Sequence, residues 1–288
     1  MNDAEHARVS ADPVLRVQCY GPLVRQYYEW VTGVYRQFWG DSYHFAIYRG
    51  TESREEALLE TERLIADEGS FGKALDILDV GCGLGAPAVH IAEYSGAEIT
   101  GIDLCEHHVG IASERARARG LTGKVRFAAA DSMHLPFPNA VFDRVYVFES
   151  GCHVPDKAAF CHECARVLRP GGEFLGLDWM HRDGLTAREQ EEFIEPICQY
   201  CSVPNMIGPA VMREHLERSG FDVLISEPAS SIESLLPNWE LPPAPPNPPA
   251  DGWDLAALGR ISRGGQALAK ATRAGAFVIG HWRARKPG

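Results

Sequence analysis

The segment ALDILDVGCGLGAPAVHIAEY, residues 74 to 94, restricts the fold more than any other part of the chain. A short apolar run over residues 75 to 80 leads into glycines at 81, 83 and 85, and a helical pattern resumes at about Ala86. A buried run too short for a helix, a glycine turn and then a helix is the opening of a parallel β-α unit. The alternation continues. AEITGIDL reads as a second strand, HHVGIASERARARG as a helix ending at Gly120, and KVRFAAAD as a third strand. FDRVYVFES and GGEFLGLDWM read as the fourth and fifth strands, with a helix at Lys157 to Leu168 between them. Strands and helices alternating at this pace predict an α/β fold with a doubly wound, mostly parallel sheet. FDVLISEP and AFVIGHWRARK complete seven strands, and helices are expected over residues 186 to 201, 209 to 220 and 254 to 273.

Acids mark the carboxyl ends of the first three strands: Asp79 before the glycines, Asp103 after the second strand and Asp131 after the third. Each alone is accounted for as a turn or cap residue. Together, in order along the edge where doubly wound sheets bind ligands, they suit a ligand lying across that edge. The glycine spacing is tighter than in the dinucleotide fingerprint and an acid precedes it, so a diphosphate is not the expected guest.

The stretch YYEWVTGVYRQFWGDSYHFAIY, residues 27 to 48, holds a third of the aromatic side chains of the chain. Val31, Val34, Tyr35 and Phe38 sit at helical spacings, so part of this cluster is packing. Aromatic faces also attract cations. A net charge of −11 argues against a broad phosphate-binding surface, so nucleic acid is not an expected partner. The polar, acidic N-terminus and the absence of a bilayer-length apolar run lead us to expect a cytoplasmic protein without membrane insertion. The eight cysteines read as reduced thiols; the two C-x-x-C pairs suggest a zinc site only until Cys161 and Cys164 are placed near the apolar stripe of a helix, and no metal is expected. LPPAPPNPPADGW is expected to be a proline-rich loop.

The ordered glycines and acids, with DSMHLPF and VLRPGG, resemble the class I S-adenosylmethionine-dependent methyltransferases over nearly the whole chain. Within that superfamily the chain is similar to sterol 24-C-methyltransferases and bacterial terpenoid C-methyltransferases of the teleocidin type. The paired tyrosines with WGDSYHF carry this likeness, as do FESGCHVPDKAAF and the C-terminal GGQALAKATRAGAFVIGHWRARKP. Ser150 and Gly151 stand where that family has Ala-Thr, a departure that bears on the acceptor more than on the reaction.

The resemblance implies a Rossmann-like class I methyltransferase fold. Residues 1 to 70 would form a helical lid, and residues 71 to 288 a catalytic domain with a cap insertion around 183 to 215 and the proline-rich loop at 242 to 249. It implies S-adenosyl-L-methionine as cofactor, held by Asp79, Gly81 and Gly83 at the methionine end, by Asp103 at the ribose and by Asp131, Ser132 and Met133 beside the adenine, with Cys82, Leu104, His108 and Ala130 also contributing. Tyr28, Trp39, Ser42, His44 and Phe148 would complete that site. The acceptor would meet Tyr20, Tyr27, Glu149, His153, Trp179 and Tyr200. An alkene attacking a sulfonium methyl leaves a carbocation, which aromatic faces stabilise without trapping it; it then loses a proton or cyclises. Glu149 is the expected base or cation stabiliser, His153 its partner, and Tyr28 part of the roof; His44 is expected to bond either Glu149 or the cofactor. Alternatives remain open at this stage: an O- or N-methyltransferase using His153 or His107 as base, a prenyl-diphosphate C-methyltransferase drawing on Arg25, Arg36 or Arg49, or a cofactor-binding subunit without catalysis. The segment ADPVLRVQCYGPLVRQ is expected to be a lid helix or an arm exchanged within a homo-oligomer.

Overall fold

The computed structural model describes residues 1–239 and 254–288; the proline-rich loop expected at 242 to 249 lies outside the described residues. Helices α1 (Asp3–Ala11), α2 (Pro13–Gln18), α3 (Tyr20–Phe38) and α4 (Arg54–Glu68) precede the sheet. Then follow β1 (Asp76–Val80), α5 (Ala86–Ser95), β2 (Glu98–Asp103), α6 (Glu106–Ala118) and β3 (Val125–Ala129). Next come β4 (Phe142–Phe148), α7 (Lys157–Val167) and β5 (Leu168–His181). The chain ends with α8 (Ala187–Glu189), α9 (Glu195–Tyr200), α10 (Pro209–Arg218), β6 (Asp222–Pro228), α11 (Ile232–Leu235), α12 (Leu255–Arg273) and β7 (Phe277–Arg285).

The seven strands form one sheet in the order β3-β2-β1-β4-β5-β7-β6. The first five pair in parallel and β7 runs antiparallel between β5 and β6. This is the doubly wound, mostly parallel sheet that the strand pattern predicts, in the Rossmann-like arrangement that the resemblance implies. The order reverses between β1 and β4, so the crevice at their carboxyl ends is where such a sheet receives a ligand. Side chains that alternate along β1, β4 and β5 feed two buried clusters, one on each face of the sheet.

Two expectations shift locally. The fifth strand starts earlier than GGEFLGLDWM: β5 already pairs at Leu168 with Phe142, and the register jumps to Arg144 and Glu173, so residues 169 to 172 form a bulge inside the ladder. The helix expected over residues 186 to 201 widens to a π-turn at Gln190–Ile194. Pro196 has no N–H for the Glu192 carbonyl one turn back, which instead faces Lys270 Nζ at 3.5 Å.

All eight cysteines are free thiols. Cys161 and Cys164 lie in the core on α7 with Phe160 and Val167, and burial raises both thiols. Cys198 and Cys201 are buried on the other face of the sheet.

The N-terminal helices pack against α3 and α9. Arg16 is fully buried there. Its guanidinium donates to the Ser10 carbonyl at 2.7 Å and to Glu195 Oε2 at 2.7 Å, and so ties α2 to the segment around α9. Replacing it leaves a carbonyl and a carboxylate without their donor. We expect Arg16→Leu to cost about 2 kcal/mol in chemical denaturation, within the range for hydrogen bonds to charged groups. Amide exchange should quicken over residues 3 to 18 before the sheet is affected; unchanged exchange there would remove Arg16 as the anchor.

Candidate active site

Gly81 and Cys82 both donate their N–H to the Ile102 carbonyl at 2.8 Å, which pins the glycine turn against the end of β2. Gly81 has φ +80, and a Cβ there would stand 2.2 Å from the Ser150 side chain, so only glycine fits. Gly85, at φ +73, starts α5 and would collide with Ala112 and Phe127 if it carried a side chain.

Asp103 closes β2. Its Oδ2 accepts from Gly83 N at 3.0 Å and its Oδ1 from Cys105 N at 2.8 Å, which leaves lone pairs on both oxygens toward the cavity. His108 Nδ1 stands 3.3 Å from Oδ1, a close contact without hydrogen-bond alignment. Burial opposes ionisation of Asp103, but that ring and the two backbone donors hold the carboxyl below its usual range. Thr32 Oγ1 on α3 meets His108 Nε2 at 2.9 Å, so the aromatic helix is keyed directly to the β2 acid. Asp131 accepts from Met133 N at 2.9 Å through Oδ1, and its Oδ2 receives the Tyr20 hydroxyl.

A cavity with about 1280 Å³ of empty space, part of it open to solvent, lies over this edge. Of the residues expected at a site, Gly81, Gly83, Asp103, Leu104 and His108 line it, as do Ala130, Asp131 and Ser132 from the β3 end. Tyr20, Tyr27, Tyr28, Trp39 and Trp179 line it too, together with Phe148, Glu149 and His153. Asp79, Cys82 and His44 instead line a smaller adjoining recess of about 320 Å³, which shares Gly81, Gly83 and Phe148 with the larger cavity. Asp79 Oδ2 is buried in the protein without a hydrogen-bond partner, and burial pushes this carboxyl up to about 7.

Ser42, Met133 and Tyr200 do not line either cavity. Ser42 donates to Glu62 Oε1 at 3.0 Å, Met133 packs against one of the two buried clusters of the sheet, and Tyr200 lies under the Arg263 guanidinium. His44 bonds neither Glu149 nor the main cavity: its Nε2 faces Glu62 Oε1 at 3.1 Å and its Nδ1 the Phe45 carbonyl at 3.1 Å. Two acceptors require two N–H groups, so this ring is an imidazolium. The direction agrees: against burial, Glu62 raises His44, while His44 and His90 bring Glu62 down to about 2.

Glu149 follows β4 in the left-handed region at φ +49, its N–H bonded to the Leu177 carbonyl at 2.8 Å. Its two carboxylate oxygens are held by different donors, Phe45 N at 2.7 Å and Trp179 Nε1 at 2.6 Å. Burial pushes this carboxyl up to about 7, against the pull of the His44 charge and those two donors. His153 is not its partner. His153 Nδ1 meets the Ser202 carbonyl at 3.2 Å and its Nε2 meets the Tyr28 hydroxyl at 3.0 Å. The Ser202 contact assigns the proton to Nδ1, so Nε2 is free to accept from Tyr28, and burial keeps the ring neutral with a pKa lowered to about 4.

The aromatic stretch divides between wall and core. Tyr28 stacks on Tyr43, with 4° between planes and 6.4 Å between centroids, and stands edge-on to Tyr27 and His108. Tyr35 stands edge-on to Trp39 and Tyr43, and its hydroxyl pairs with that of Tyr27 at 2.6 Å. Trp30 faces away from the cavity, under Arg260 and against His6. Several wall residues were not singled out in the sequence: Tyr43 and Phe45 from the extended segment, Trp239, and Ile261, Gly265 and Leu268 of α12. The last three share one helix face by their spacing of four and three, a signal present in the sequence but not distinguishable there from ordinary core.

A methyltransferase-domain family model matches residues 78–176. The chain is 38% identical over 168 residues to the sterol 24-C-methyltransferase ERG6B of Gibberella zeae, covering 58% of this chain and 44% of that one. It is 32% identical over 244 residues to the cycloartenol-C-24-methyltransferase of Arabidopsis thaliana, covering 84% of this chain and 72% of the relative. The chain belongs to the sterol 24-C-methyltransferase family. That places it among the S-adenosylmethionine-dependent class I methyltransferases. The match spans about half the length of several of these sterol methyltransferases, 44% of one and 48% of another. Among solved structures, the geranyl diphosphate C-methyltransferase of Streptomyces coelicolor shares the fold, with a TM-score of 0.71 at 17% identity over 93% of this chain and 98% of that one.

The residues present fit the cofactor of the family. Asp103 has acceptor capacity for two ribose hydroxyls, Gly81 and Gly83 let a ligand approach the backbone, and the unpartnered Asp79 oxygen suits a buried ammonium. Gly81→Ala should therefore abolish measurable binding of S-adenosylhomocysteine in calorimetry; wild-type affinity would mean that the turn is not the cofactor cradle. The raised Glu149 pKa also has a sign. Between its unfolded value near 4.5 and its folded value of about 7 the folded state holds the extra proton, so stability falls as pH rises through that window. Relative to the ligand-free wild type, Glu149→Gln should gain up to about 3 kcal/mol on going from pH 4.5 to pH 7.5 in paired denaturation curves. A gain that shrinks with pH would contradict the burial argument.

Proposed function

We propose that this protein transfers a methyl group from S-adenosyl-L-methionine to an alkene carbon of an apolar terpenoid or prenylated acceptor. One observation supports this reading most. Beyond the sheet-edge acids Asp103 and Asp131, the cavity is walled mainly by aromatic and aliphatic side chains, with His108, Ser132, Ser150 and His153 among its polar groups; Glu149 is its one further carboxylate, and no lysine or arginine lines it among the described residues.

In this reading Asp103 takes the ribose hydroxyls, the 130 to 133 segment lies beside the adenine, and Asp79, Gly81 and Gly83 enclose the methionine end. The bound cofactor supplies an electrophilic methyl on a sulfonium. The alkene π pair would form the new carbon–carbon bond as the sulfur–methyl bond breaks, its electron pair returning to sulfur so that S-adenosylhomocysteine leaves as a neutral thioether and the positive charge passes to the neighbouring alkene carbon. The faces of Tyr27, Tyr28, Trp39 and Trp179 each attract that charge by about 0.5 to 2 kcal/mol. Glu149 adds a field of opposite sign. Its oxygens are engaged by Phe45 N–H and Trp179 N–H, which restrains it from bonding to the cation. The cation then closes a ring or loses a proton, and in this reading the Tyr28 hydroxyl serves the second: its oxygen takes a proton as its own passes to His153 Nε2, a relay supported by the contact between the two. Helices α1 to α3 and residues 183 to 215 serve as cover that keeps water from the chamber.

The Streptomyces coelicolor enzyme is described with Mg2+ and geranyl diphosphate. A diphosphate acceptor does not suit this chamber. Arg25 is engaged by the Leu104 carbonyl and Arg36 by Asp41, and neither they nor Arg49 line the cavity. The neutral His153 beside Tyr28 does favour a second reading, methylation of a phenol or amine with His153 as base. His107 is exposed and outside the cavity.

Glu149→Gln separates the two. On the carbon reading the variant binds S-adenosylhomocysteine as the wild type does, yet turnover with a terpenoid olefin falls at least about 100-fold, the scale of losing one electrostatic stabiliser. On the heteroatom reading it is His153→Ala that abolishes turnover while Glu149→Gln leaves it nearly intact. Full activity of Glu149→Gln on an olefin would remove the role of Glu149.

A further inference from the structure

Helix α12 carries two adjacent glycines, Gly264 and Gly265, in its middle turns. Glycine is the poorest helix former after proline, so each position needs a reason. Gly264 has one in packing: a Cβ there would stand 2.8 Å from the buried Cys201 Sγ and 4.0 Å from Tyr200, where α12 crosses α9. Gly265 has none. A Cβ built on it meets no atom within 4 Å, its φ is not in the left-handed region, and no turn or cap falls there.

What Gly265 does border is the cavity. It lines the chamber with Ile261 and Leu268, four residues before it and three after, and these three therefore share one face of the helix. The helix packs on α3, α9 and β7, whereas the glycine turn and the sheet-edge acids come from β1, β2 and β3. The α12 wall thus faces the acceptor part of the chamber, with Tyr27, Tyr35, Cys201 and Trp239 also contributing apolar surface to the cavity. A side chain at 265 would extend from this wall into empty space.

We infer that Gly265 sets the length of the acceptor compartment: the missing side chain opens room for the distal part of a long, branched apolar chain, and any larger residue at 265 shortens the acceptor that fits. This rests on the apolar-acceptor reading above, and it adds a residue that decides which member of that class is taken. It also explains why the helix keeps a residue that weakens it. Filling the position should make α12 more stable and the compartment smaller, two effects of opposite value that a merely structural glycine would not show together.

The test uses Gly265→Ala and Gly265→Leu in the full chain, saturated with S-adenosylhomocysteine, and three neutral probes of increasing length: geraniol, farnesol and geranylgeraniol. Binding is read from the fluorescence of the tryptophans that line the cavity, with melting temperature and cofactor affinity measured alongside. We expect Gly265→Ala to melt at or above the wild-type temperature and both variants to keep wild-type affinity for S-adenosylhomocysteine. Affinity for geranylgeraniol should fall stepwise from wild type to Ala to Leu, by at least about tenfold for Leu, the range for added methylenes in an apolar pocket, while geraniol is little affected. Equal losses for all three probes, or none for any, would overturn the assignment of Gly265 while leaving the apolar-acceptor reading in place. Failure of the wild type to bind any of the three would overturn that reading, and the role of Gly265 with it.

Discussion

The carboxylate of Glu149 is the point on which the site is organised. It stands immediately after β4 in a backbone conformation that costs a non-glycine residue of the order of 1–3 kcal/mol, and it is held there from three sides. The Leu177 carbonyl takes its N–H, the Phe45 N–H takes one oxygen and the Trp179 indole takes the other. Phe45 and Trp179 also stack on each other, with 6° between planes and 5.3 Å between centroids. One buried acid thereby fixes the extended segment after α3, the end of β4 and the C-terminal part of β5 in a single arrangement, and the two donors that orient it are themselves parts of the chamber wall. Loss of either donor would leave a buried charge short of partners, which is costlier than the hydrogen bond alone.

The segment around Ser42 to Phe45 shows how sequence pattern and site geometry meet. Residues alternate: Tyr43 and Phe45 face the cavity, while Ser42 and His44 turn to Glu62 on α4. That is the two-residue period of extended chain. Glu62 also accepts from His90 at 3.0 Å on α5, so a buried carboxylate joins three stretches of chain behind the wall. The imidazolium of His44 then sits between two acids, bonded to Glu62 and acting on Glu149 through its charge. The polar half of the WGDSYHF segment is therefore the frame, and the aromatic half is the surface presented to a guest.

Much of this was legible in the sequence because it depends on order. Three acids after three successive apolar runs, with glycines behind the first, can be arranged in few ways, and strand-helix alternation fixed the parallel half of the sheet. Less was legible where partners are distant in sequence. Nothing in FESGCHVPDKAAF shows that His153 will face Tyr28 and Ser202 instead of Glu149, because those partners lie 125 and 49 residues away. Ser42 and Tyr200 were expected at the site from the resemblance, yet the first serves Glu62 and the second packs under Arg263. The α12 wall escaped for another reason: Ile261 and Leu268 have the spacing of any buried helix face, and only the closed tertiary structure shows that this face meets empty space. The bulge over residues 169 to 172 likewise depends on the register of β4, which a turn-like RPGG does not reveal.

The claim that this chamber exists to hold a cation formed on carbon is tested most directly by where the methyl goes. Incubating the protein with S-adenosylmethionine carrying a 13C-methyl group and a neutral prenylated olefin, and locating the label by NMR, answers it in one spectrum. The account predicts the label on a former alkene carbon, joined by a carbon–carbon coupling when the acceptor is itself labelled there. A label found on oxygen or nitrogen would contradict it, and the tyrosines and tryptophans of residues 27 to 48 would then be wall and core without a role in stabilising charge.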